Sequence, residues 1–171
     1  FGSVLQPGQI DDVVAYVRAL DTGGPVGASL PPPTGKEPLF VHPAGRSPTF
    51  KIRDTKFVSV DEVARELAAK RKMVIIDARP QSDWMRAHIT GAVSIPHHDL
   101  RRLAEIPKDA TVIAYCACPH HLSGIVIDEL IRRGYKKAYI LDEGINAWHI
   151  KQYPVVTASG VQPPAQEIPR P

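Results

Sequence analysis

The densest cluster of reactive side chains in the chain is Cys116-Ala117-Cys118-Pro119-His120-His121-Leu122-Ser123. Two thiols and two imidazoles stand within six residues. Cys116 directly follows the apolar run Thr111–Tyr115, and a helical pattern resumes near Leu122. A thiol between a strand end and a helix start is surrounded by backbone N–H groups that have no partner in the helix. Such a place favours an anion and lowers a thiol pKa, so Cys116 is placed as a thiolate nucleophile. A small buried cysteine with a packing role fits the same spacing. Cys118 allows three readings: a partner for Cys116 in a disulfide, a soft-metal ligand beside the two imidazoles, or a packing residue. Four ligands on one tight loop are hard to aim at a single Zn or Cu ion, so no metal is assigned.

The elements that must position this loop alternate between strand and helix. Phe57-Val58 reads as a short strand, followed by a capping box at Ser59 and Glu62. The helix it opens has Val60, Val63, Ala64, Leu67 and Ala68 on one face. Met73–Asp77, Ala92–Ile95, Thr111–Tyr115 and Ala138–Leu141 read as further strands. Leu122–Arg133 reads as a helix with Val126, Leu130 and Ile131 inward, ended by Gly134. Gly144–Ile150 reads as a last helix, with Trp148 in the core. Apolar strands alternating with helices predict an α/β fold with a parallel sheet covered on both faces. Ligands of such sheets bind beyond the carboxyl ends of the strands, which is where Cys116 stands.

Several stretches in fixed order resemble the rhodanese (sulfurtransferase) domain family. They are Ile75–Pro80, Trp84 with Ala87–Ala92, Ala114–Cys116, Gly134-Tyr135, Leu141–Trp148 and Tyr153–Val155. The resemblance implies a five-stranded, mostly parallel sheet with helices on both faces, over residues 51–156. It also implies that Cys116 is catalytic. It would take a sulfane sulfur from a small sulfur-containing donor (thiosulfate, a persulfide or a polysulfide), hold it as a persulfide, and pass it to a thiol or other thiophilic acceptor. Ala117, Cys118, Pro119, His120, His121, Leu122 and Ser123 would form the loop that binds it, Pro119 lacking an N–H to contribute.

The loop departs from the family pattern. Thiosulfate-using members place Arg or Lys in it, whereas this loop has only His120 and His121, and an imidazole ordinarily titrates at about 6.5. Donor binding is therefore expected to be weaker or more pH-dependent. The related phosphatases need an Arg where Leu122 stands, which argues against phosphate chemistry. Asp77 and Arg79 read as a supporting pair, more as an ion pair pinning the loop than as reacting groups. His88 reads as a hydrogen-bonded structural histidine. Glu143 stands where the family often has Gly and is expected to face the site. The rival to a turnover enzyme is a rhodanese-fold module that binds a partner, persulfide or metal through the altered loop.

Composition sets the outer limits. At 43% hydrophobic and 23% charged residues, the chain is of globular type. Its longest apolar runs fall far short of the roughly 20 residues of a membrane span. A net charge of +3 gives no case for nucleic acid. Residues 21–50 hold seven Pro and five Gly and read as a linker, and 157–171 as a flexible tail. Residues 1–20 read as the end of a preceding domain. Ile10, Val13, Val14, Val17 and Leu20 share one helical face, and the segment resembles the C-terminal helix of a c-type cytochrome. There is no Cys-x-x-Cys-His in the sequence, so no cofactor is expected on this chain. A haem c would sit on an upstream domain, which would supply a redox partner and place the parent protein in the periplasm.

Overall fold

The computed structural model describes residues 28–117 and 120–162. Residues 1–27, including the segment read as cytochrome-like, together with Cys118, Pro119 and the last nine residues, lie outside the described residues. No helix among the described residues is long and apolar enough to cross a membrane.

The strands are β1 (Phe40–Val41), β2 (Phe57–Val58), β3 (Met73–Asp77), β4 (His88–Ile89), β5 (Val93–Ser94), β6 (Val112–Tyr115), β7 (Ala138–Leu141), β8 (Val155–Thr157) and β9 (Gly160–Gln162). The helices are α1 (Val60–Ala68), α2 (Gln81–Arg86), α3 (His121–Arg132) and α4 (Gly144–Ile150), with a 3-10 turn at Arg101–Glu105. Five strands run parallel in the order β5–β3–β6–β7–β2. They are the five that the sequence pattern predicts. The register aligns Asp77 with Tyr115 and with Ser94, so the carboxyl ends of β5, β3 and β6 finish together.

Each parallel strand is short and apolar because both its faces are covered. All five residues of β3 and all four of β6 are buried. Ile75, Ile113 and Tyr115 face a core with Val63, Ala64 and Leu67 of α1 and Trp148 of α4. Val74, Ile76 and Ala114 face the opposite core with Val126, Ile127 and Leu130 of α3. Ser59 caps α1 by accepting from the Glu62 N–H. The Glu62 carboxylate accepts from the Lys51 N–H at 2.7 Å, tying the incoming chain to the cap.

Three details differ from the sequence pattern. Ile131, expected inward, is 48% exposed, because it lies one residue, about 100° of helix, past the inward Leu130. Ala68 is likewise exposed, and Glu66 takes the buried place on α1. The third concerns the segments read as linker and tail. Phe40–Val41 pairs antiparallel with Met73–Val74, putting Leu39 and Phe40 on one core and Val41 in the other. Gly91, at φ +78°, makes room for it, since a Cβ there would lie 2.7 Å from Val41 Cγ2. Gly160–Gln162 pairs with β8, which pairs with β4 in a second small antiparallel sheet.

Candidate active site

Cys116 is the first residue past β6 and is 1% exposed. Its Sγ lies 3.4 Å from Ser123 Oγ, which sits buried in the first turn of α3. The thiol therefore rests against the positive end of a twelve-residue helix. The first helical hydrogen bond runs from the Gly124 N–H to the His120 carbonyl at 2.8 Å. The N–H groups of His121, Leu122 and Ser123 precede it and have no acceptor within the helix.

The loop is anchored to the β7–α4 turn. The Cys116 carbonyl accepts from the Ile145 N–H at 3.0 Å, and the Ala117 carbonyl accepts from Asn146 Nδ2 at 3.0 Å. Gly144 has φ +64°, and a Cβ there would lie 2.5 Å from the Cys116 oxygen. Only glycine allows that approach. At the other end of the loop, His120 takes the left-handed conformation at φ +62°. Its Nε2 lies 2.8 Å from the Asp142 carbonyl and 2.7 Å from Asp142 Oδ1. Both neighbours are acceptors, so the proton is assigned to Nε2. The ring rests on Phe57 of β2, with centroids 4.4 Å apart. Arg53 forms ion pairs with both Asp142 and Glu143.

The remaining loop positions divide by burial. Ser123 is 1% exposed, Leu122 packs against the core beneath α3, and His121 is exposed. Glu143 has its carboxylate engaged elsewhere. It accepts from the Val60 N–H at 2.9 Å, at the N-terminus of α1, and from Arg53 at 3.2 Å. The roles of Arg53, Asp142 and Asn146 are not legible in the sequence. The Leu141–Trp148 stretch contained two of them, but their contacts depend on residues far along the chain.

Under the site lies a buried polar network. Asp77 is fully buried and holds Arg79 in a bidentate pair at 2.9 and 2.6 Å. Arg79 Nη2 also donates to the Ala87 carbonyl at 2.8 Å. The Tyr115 hydroxyl donates to Asp77 Oδ2 at 2.8 Å and accepts from the Ile89 N–H at 3.2 Å. Burial opposes the charge on Arg79, but the hydrogen bonds and charge of Asp77 outweigh it and hold the guanidinium protonated. Burial and the Asp77 carboxylate both push the Tyr115 phenol well above its ordinary value, so it stays a donor. Burial lowers the pKa of His88, whose Nδ1 lies 2.9 Å from the Trp84 carbonyl and whose ring stacks on Trp84 at 3.9 Å. These groups fix the α2–β4 segment on the residue before Cys116. Among the described residues, no group of three or more His, Cys, Asp or Glu is arranged to hold a metal ion.

A parallel α/β sheet with a cysteine at a strand end, under the first turn of the next helix, defines a class of thiol-bearing loop domains. The Rhodanese-like domain profile matches residues 59–151, and the chain belongs to that family. A sulfurtransferase of Allochromatium vinosum is 27% identical over 112 residues, covering 60% of this chain and 96% of that protein. The thiosulfate sulfurtransferase GlpE of Coxiella burnetii is 33% identical over 87 residues, covering 50% of this chain and 79% of that one. The solution structure of the rhodanese-like domain of Anabaena Alr3790 superposes with a TM-score of 0.57 at 20% identity, covering 69% of this chain and 91% of that one. That last likeness is one of fold.

Proposed function

We propose that this chain is a sulfurtransferase that carries a sulfane sulfur on Cys116. The observation that carries the reading is the placement of the Cys116 thiol, 3.4 Å from Ser123 Oγ in the first turn of α3, in a member of a family that includes sulfurtransferases. In the first half-reaction the Cys116 thiolate attacks the outer sulfur of the donor. The donor's S–S bond breaks, its electron pair leaves on the departing group, and a Cys116 persulfide forms. The N–H groups ahead of the first helical bond of α3 stabilise negative charge on the outer sulfur. Ser123 steadies the inner sulfur. In the second half-reaction an acceptor thiolate attacks the outer sulfur and returns Cys116 as thiolate.

Intact-protein mass tests the reading directly. A gain of one sulfur after exposure to thiosulfate or a persulfide, reversed by cyanide and absent from Cys116→Ser, is expected. If fully reduced protein gains no sulfur from either donor, the fold serves as a binding module instead. A resolving role for Cys118, in which its thiolate would attack the inner sulfur of the persulfide, expel hydrosulfide and close a Cys116–Cys118 disulfide, is tested against a packing role by whether Cys118→Ser prolongs the persulfide lifetime.

The proposal extends upstream. The pattern of residues 9–20 supports a c-type cytochrome domain ahead of this chain in its parent protein, with haem c as a redox partner and a periplasmic location. The visible spectrum and cell fractionation of the full-length gene product test this part. A parent without covalent haem would overturn it.

A further inference from the structure

The charge at the sulfur-binding loop is set by residues outside it. His120 Nε2 is held 2.7 Å from Asp142 Oδ1, and the ring's other face contact is the uncharged Phe57. The cation behind Asp142 is Arg53, which Asp142 shares with Glu143. Even with His120 protonated, one imidazolium and one guanidinium face two carboxylates. With His120 neutral, the group carries a net negative charge. Among the described residues, two further cations are also paired: Lys56, 5.9 Å from the Phe57 ring, with Asp128 at 3.2 Å, and Arg79 with Asp77 at 2.6 Å. His121 is exposed.

Sulfur donors differ in the charge they bring to such a site. When the Cys116 thiolate attacks thiosulfate, the S–S bond breaks and its electron pair leaves on sulfite. Three negative charges must gather along one sulfur axis. With a persulfide R–S–SH, the same attack breaks the S–S bond, the pair leaves on R–S⁻, and the proton stays on the transferred sulfur. Only one negative charge is then involved. An environment whose nearby side-chain cations are offset by carboxylates, leaving the first-turn N–H groups of α3 to oppose added charge, penalises the first far more than the second.

We infer that Asp142, the carboxylate that engages both His120 and Arg53, makes this site select persulfide donors over thiosulfate. The inference rests on the sulfurtransferase reading and names its donor class. Asp142 acts through His120 and Arg53, as a positioning and charge-setting residue.

The test compares kcat/KM for loading Cys116 from thiosulfate and from cysteine persulfide. The wild-type protein is expected to favour the persulfide. Asp142→Asn should move the ratio toward thiosulfate by about tenfold, through a lower KM for thiosulfate. Glu143→Gln, which removes one of the two carboxylates on Arg53 and leaves His120 paired with Asp142, should move the ratio the same way by about threefold. A ratio within about twofold of wild type in both folded variants would overturn the inference, as would wild-type preference for thiosulfate. Failure of both donors to load wild-type Cys116 would instead sink the sulfurtransferase reading on which it rests.

Discussion

Gly144 and Cys116 meet backbone to backbone across the site. The Cα of Gly144 approaches the Cys116 carbonyl so closely that a Cβ would lie 2.5 Å from the oxygen, and the next N–H, of Ile145, donates to that same oxygen at 3.0 Å. One turn after β7 thus sets the direction in which the chain leaves β6, and with it the position of the thiol. Gly144→Ala should cost about 1–3 kcal/mol from the left-handed φ alone, with the clash in addition. Urea denaturation reads that cost. The rate of sulfur loading should fall in the protein that remains folded.

Ser123 meets the thiol from the first turn of α3, its Oγ 3.4 Å from Sγ. A hydrogen bond to a charged partner is worth about 1.5–3 kcal/mol. Ser123→Ala should therefore slow alkylation of Cys116 by iodoacetamide at neutral pH by about tenfold. Unchanged alkylation would remove Ser123 from the thiol's environment in solution.

Asp77 is fully buried and is the counter-charge of Arg79. Asp77→Asn leaves a buried guanidinium without its anion. Breaking such a pair on one side costs about 3–5 kcal/mol, so the urea midpoint should drop sharply. Replacing Tyr115 by Phe removes two hydrogen bonds of the same network, leaving the buried Ile89 N–H without its acceptor, and should cost about 2–4 kcal/mol.

Stability should decline as pH falls below about 6.5. Burial depresses the folded-state pKa of His88, and burial with the field of Arg79 depresses that of His149. Below the ordinary imidazole value the unfolded chain binds more protons than the folded one. The folded state loses stability from there down to the depressed folded values, and then levels off. Urea midpoints measured at about pH 8 and about pH 5 test this, and His88→Gln should flatten the slope. A midpoint independent of pH over that range would refute the assignment.

The sequence by itself determined the parallel strands, the Ser59 cap, the buried Trp148 and the place of Cys116 between a strand and a helix. Each of these depends on local periodicity or on the neighbours of a residue in the chain. The rest depends on segments that meet only when the sheet closes. Arg53, His120 and Asp142 converge from three separate stretches, and no spacing rule links them. Glu143 turns to the start of α1, where its carboxylate accepts from the Val60 N–H. Phe40–Val41 joins the sheet from a Pro-rich stretch because two residues are too few to show an alternating pattern. Tertiary structure alone decided these, since a carboxylate's partner is set by which backbone and charges surround it, and a short edge strand is held by the neighbour it pairs with.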